Sequence, residues 1–125
     1  MNRDRALFIV AAAYDVLLGI GFFFLYGPIF AALAVPVPVN TSYIHISAAF
    51  VFVQGVGYWL VARNPDRNHD LVRLGVIYKG IYVAVALYEL ALGQLISDVF
   101  LWFAAFDLLF LVLFVDFLRR RGRAA

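Results

Sequence analysis

The stretch ARNPDRNHDLVRLGVIYK, residues 62–79, is the only long polar interruption between Ala6 and Leu118. It divides the chain into two halves that are each almost wholly apolar, and its last residue, Lys79, is the only lysine. Working outward, each half holds two apolar runs of about 20 residues, the length a helix needs to cross a ~30 Å hydrocarbon layer. The expected spans are residues 6–26, 43–62, 71–92 and 98–118.

Composition agrees with this division. Across 125 residues the chain is 66% hydrophobic and 18% aromatic, with a mean hydropathy of +0.93. A water-soluble domain has about 45–50% apolar residues, and a chain this small cannot hide so much apolar surface in one core. The reading is an all-α, polytopic membrane protein: a four-transmembrane-helix bundle forming a single domain over residues 1–125.

The net charge of +2 and the pI near 9.2 do not point to nucleic acid, because the arginines are confined to three places. These are Arg3 and Arg5; Arg63, Arg67 and Arg73; and Arg119, Arg120, Arg121 and Arg123. Residues 27–43 and 93–97 carry neither lysine nor arginine. Basic residues flanking membrane helices collect on the cytoplasmic side, so both termini and the central loop are expected inside, against anionic lipid headgroups. Met1 to Arg5 followed by an apolar run resembles a signal peptide, with Ala32-Leu33-Ala34 resembling a cleavage site. The run exceeds the usual core of about 7–15 residues and contains Asp15, so an uncleaved first span is expected.

Chain punctuation sets the expected boundaries. Gly27-Pro28 should end or kink the first span, since proline lacks the amide donor. Pro36 and Pro38 bias their preceding residues toward extended backbone, which makes residues 29–39 a loop on the outer side, re-entrant or lying at the interface. Asn40, Thr41 and Ser42 supply the polar start of the second span, and Pro65 stops it. Asn68 or Asp70 can cap the third span by accepting a free first-turn amide. Gly93 should close that span and Ser97 should open the fourth. So short a link makes the third and fourth helices antiparallel neighbours. Tyr14-Asp15 and Tyr78-Lys79 occupy similar places near the inner starts of the first and third spans. Two parallel repeats and shared hydrophobic composition both account for that likeness.

Charges within apolar spans are the informative exceptions, because each costs about 2.5–3.5 kcal/mol near a helix centre. They are Asp15, Lys79, Glu89 and Asp107, with Asp116 near the inner interface. At a rise of ~1.5 Å per residue, Lys79 can reach Asp15, the first choice of partner, or Asp107, the second. Lys79, Tyr82, Ala86 and Glu89 share one face of the third helix. Asp15, Gly19, Phe22 and Tyr26 form a matching stripe on the first, and Gln54 with Tyr58 a weaker polar edge on the second. Lipid cannot satisfy these groups, so the stripes should face inward. Three carboxyls face one lysine, so at least one must be protonated or neutralised by a ligand or partner. The bland alternative for each residue is helix-to-helix adhesion, on the order of 1 kcal/mol per contact.

The chain contains no cysteine, which excludes disulfides and thiolate metal sites. His45 and His69 fall at opposite membrane faces and cannot share a metal or haem. No metal-ligand spacing, phosphate-cradling glycine loop or neighbouring nucleophile and base occurs, so no metal or cofactor is expected. Phe22-Phe23-Phe24 and the aromatic residues from Phe100 to Phe117 serve packing and lipid contact, or line a cleft for an apolar ligand.

Four short spans, inward termini, the loop Arg63-Asn64-Pro65-Asp66-Arg67 and a third helix bearing Lys79 together resemble small bacterial DoxX-like membrane proteins. That resemblance implies a four-helix bundle in the bacterial inner (plasma) membrane and, for some members, association with membrane redox or thiol-stress systems. It carries no catalytic residue onto this chain. The first-helix glutamate of small multidrug transporters and the Asn-and-Phe arrangement of fluoride channels are missing.

Three functions are compatible with these residues. The first is binding of a partner protein, or of an apolar small molecule such as a lipid or quinone, in a cleft around Asp15, Lys79, Tyr82 and Glu89. The second is proton-coupled transport by a homodimer with Asp15, Glu89 or Asp107 as carrier. The third, with least support, is an enzyme acting on a lipid-like substrate through paired acids.

Overall fold

The structure, a computed structural model, describes residues 2–124, with side chains through Arg121. The side chain of Arg123, counted above with the basic residues, and Met1 lie outside the described residues. Five helices follow one another: α1 (Arg3–Phe24), α2 (Tyr26–Ala32), α3 (Ser42–Arg63), α4 (His69–Ala91) and α5 (Val99–Ala124). No strand occurs among the described residues. Four helices are long and apolar enough to cross a membrane, α5 over Val99–Arg121. Their bounds agree with the four expected spans to within a few residues.

The first departure is α2. Helix α1 breaks at Leu25 (φ −125°, ψ 24°), and the chain re-enters a helix with Gly27 and Pro28 in its first turn. Proline is tolerated there because first-turn amides have no intrahelical acceptor. The expected loop over 29–39 is therefore helical to Ala32, and only its second half is extended. Helix α2 ends with Ala34 at φ 55°. The Ala34 amide donates to Ala31 O at 3.3 Å and the Val35 amide to Phe30 O at 2.9 Å, the paired closing bonds of a Schellman turn. The end of α4 repeats this with the residue the turn prefers: Gly93 has φ +70°, with bonds from Gly93 to Leu90 O and from Gln94 to Glu89 O.

The second departure is Asn68. It occupies the N-cap of α4, but its side chain makes no cap bond there. Its Nδ2 instead donates to Leu60 O and Asn64 O, both at 3.0 Å, a second bond to carbonyls that also accept the Asn64 and Arg67 amides. Ser97 behaves as expected, its Oγ accepting from the Val99 amide at 3.3 Å.

The long helices form two antiparallel pairs, α1 with α3 and α4 with α5. Small residues let the first pair approach closely. A Cβ at Gly19 would stand 2.8 Å from Phe52 Cβ and 2.9 Å from Ala48 O, and one at Gly55 would stand 2.7 Å from the Val16 amide nitrogen. Tyr82 Oη donates to Phe100 O at 3.2 Å across the second pair.

The two pairs are joined at the arginine-rich end, where the start of α1, the end of α5 and the 64–68 turn lie. Phe8 stacks on Phe114 at 4.9 Å and meets Phe117 edge-on at 5.0 Å. These rings are fully buried with Val61 and Val72. Around them Asp4, itself buried, accepts from Arg120 at 2.7 Å and from Arg121 at 3.1 Å, and Arg121 also bonds Asp66. Arg5 Nε donates to Ala62 O at 3.0 Å. Toward the opposite end Phe22 meets Phe103 edge-on at 6.1 Å, and Phe30, Val35 and Ile44 cluster with Phe22, Val99 and Phe100 around a cleft between the pairs.

Candidate functional site

Lys79 and Asp15 lie near the midpoints of α4 and α1, and Asp107 lies about two turns into α5. That common level brings all three together. Lys79 is fully buried, Asp15 is 2% exposed and Asp107 7%. Lys79 Nζ stands 2.9 Å from Asp107 Oδ1 and 3.8 Å from Asp15 Oδ1. Both expected pairings are therefore present, with the nearer contact to Asp107, on the helix packed beside α4. The lysine is also ringed by aromatic faces: Phe110 at 5.1 Å, Tyr58 at 5.4 Å, Tyr14 at 5.7 Å and Tyr78 at 6.0 Å. Ring faces attract a cation within about 6 Å, so the ammonium is held by two carboxylates and by aromatic rings.

A cleft of about 930 Å³ lies against this cluster. Asp15, Asp107, Tyr14, Tyr78 and Tyr82 form its polar floor, and Phe22, Phe100, Phe103 and the Val35–Pro38 segment line its apolar walls. Lys79 is absent from the lining, so the carboxyls stand between the ammonium and the open space. The volume falls in the range of about 300–1,000 Å³ typical of small-molecule sites. Below the floor, the Phe8, Phe114 and Phe117 core closes the bundle.

The other residues anticipated from sequence are dispersed. Tyr58 is buried behind the lysine, its ring against Phe114 at 5.1 Å, and does not line the cleft. Gly75 makes room for it, since a Cβ there would stand 2.7 Å from Tyr58 Cε1. Gln54 is half-buried one turn away on α3 and also lies outside the lining. Glu89 sits in the last turn of α4, half-buried and away from the cleft. At ten residues from Lys79 it is ~15 Å further along the helix, which removes it from the midplane arithmetic. The imbalance at the cluster is two carboxyls to one ammonium. His45 packs on Phe23 at 4.8 Å and His69 on Phe117 at 5.6 Å, at opposite ends of the bundle.

Sequence reading missed Tyr14, Tyr78 and Phe110 as the cage, and the 35–38 segment as cleft wall. A usable signal existed for the tyrosines, since each directly precedes a buried charge, Asp15 or Lys79. Those two dipeptides, noted above for their similar positions, meet in space. Comparison with known proteins finds no matching family model, curated protein or solved structure.

Proposed function

We propose that the chain is an integral membrane protein, oriented with its arginine-rich end in the cytoplasm, whose cleft binds an apolar small molecule of lipid or quinone type. The observation that carries this reading is the cleft itself: apolar walls of ligand-sized volume ending on a polar floor of two buried carboxyls and three half-buried tyrosines. Membrane insertion draws support from the outward faces of the long helices, where Leu17, Val53, Leu87 and Trp102 are exposed. Such a surface is stable against hydrocarbon and not against water. Orientation follows from the arginine distribution. The general layout is similar to DoxX-like membrane proteins, and the binding role does not depend on that likeness. A chain enters along the aromatic and proline walls, and its polar head meets Asp15 and Asp107.

The experiment is native mass spectrometry of the protein released with its surrounding lipid. A small molecule retained in one-to-one ratio supports the reading. A stoichiometric protein partner with an empty cleft would make the charged cluster an assembly contact instead.

A further inference from the structure

We propose that the cleft floor selects an amphiphile whose head is a single protonated amine. This rests on the preceding reading of the cleft as a binding site and names the head chemistry that it takes. With both carboxyls ionised, Lys79 supplies one positive charge against the two negative ones of Asp15 and Asp107, and the cluster is short by one positive charge. A charge left uncompensated in apolar surroundings is costly, and one further cation in the cleft completes the count.

Geometry places the missing charge on the cleft side. Asp15 Oδ1 is the oxygen turned to Lys79, whereas Asp15 Oδ2 is buried without a hydrogen-bond partner. A buried carboxylate oxygen calls for a donor, and the residue that carries it lines the cleft. The Tyr14 hydroxyl, also without a partner, lies in the same lining and can accept a second N–H. Tyr14, Tyr78 and Tyr82 line the space, and aromatic rings suit an ammonium. Among the described residues no lysine, arginine or histidine lines the cleft, which leaves an anionic head without a counter-charge. A neutral carbonyl head would leave the charge imbalance standing.

The test measures equilibrium binding of radiolabelled dodecylamine and dodecanol to the purified full chain in a maltoside detergent. The two probes share a chain, and the amine is protonated at neutral pH, as an alkylamine of pKa about 10.4 must be. The expected result is amine affinity at least about tenfold above the alcohol, the scale of a charged hydrogen bond. Asp15→Asn, which keeps the shape and removes the surplus charge, should bring the two affinities together. Equal affinities in the unsubstituted protein, or an amine preference that survives Asp15→Asn, would overturn the head assignment while the cleft remains a binding site. Absence of specific binding by either probe would overturn both readings.

Discussion

Lys79 Nζ lies 2.9 Å from Asp107 Oδ1, with the lysine fully buried between two helix pairs. It also lies 3.8 Å from Asp15 Oδ1, so one ammonium ties α4 to its neighbour α5 and to α1 of the other pair. Removing one member of a buried pair costs about 3–5 kcal/mol, because the remaining charge is left uncompensated. Lys79→Met is expected to lose stability on that scale, whereas Asp15→Asn should stay within about 1 kcal/mol of the parent because it removes the surplus charge. Thermal unfolding in detergent checks the contrast, and equal losses in the two variants would contradict the charge count.

The close approach of α1 and α3 depends on two positions without side chains. A Cβ at Gly55 would stand 2.7 Å from both Val16 N and Val16 Cγ2, and the backbone nitrogen cannot yield without moving α1. Gly55→Ala is expected to destabilise the bundle by about 1–3 kcal/mol, as overpacking does. Gly57, with nothing near its Cβ position, is the control: Gly57→Ala should be neutral or slightly stabilising in the same unfolding assay.

Ala34 holds a left-handed conformation, φ 55°, to close α2 and turn the chain into the cleft wall. That conformation costs a residue with a Cβ about 1–2 kcal/mol, and Gly93 shows the same turn made with glycine. Ala34→Gly is expected to raise stability by up to about 1 kcal/mol after the entropy of the glycine is counted. Unchanged or lower thermal stability would place the turn's conformation outside the stability balance.

At the arginine-rich end Arg120 and Arg121 reach the buried Asp4 carboxyl at 2.7 Å and 3.1 Å, which ties the start of α1 to the end of α5. Removing the shared acceptor leaves two guanidinium groups to find water instead, so Asp4→Ala is expected to cost about 1 kcal/mol, a modest loss because both arginines stay partly solvated. Thermal unfolding of the parent and Asp4→Ala in detergent checks this, and an unchanged midpoint would contradict it.

The four long helices and the pairing of Lys79 with acids were legible because both follow from local patterns. A run of apolar residues declares its own length, and a lone lysine within one must find a carboxyl at its own depth. The clasp of Asp4 by Arg120 and Arg121 was not legible: its partners lie 116 and 117 residues apart, and a terminal arginine reads equally well as a lipid-headgroup contact. Helix α2 was hidden because Gly27-Pro28 signals a break without showing that a new helix starts there. Glu89 looked central because facial periodicity carries no information about depth. Its distance from the cluster depends on where α4 stops, at Ala91.

Occupancy of the cleft by an apolar molecule is the claim on which the functional account stands. Ser47 lines the cleft yet is exposed, so Ser47→Trp fills the space without entering the packed core. The deciding measurement is native mass spectrometry of the parent and Ser47→Trp proteins, extracted identically and matched for thermal stability. The account predicts a small molecule bound one-to-one in the parent and lost from Ser47→Trp. Equal retention by both proteins, or none by the parent, would contradict it.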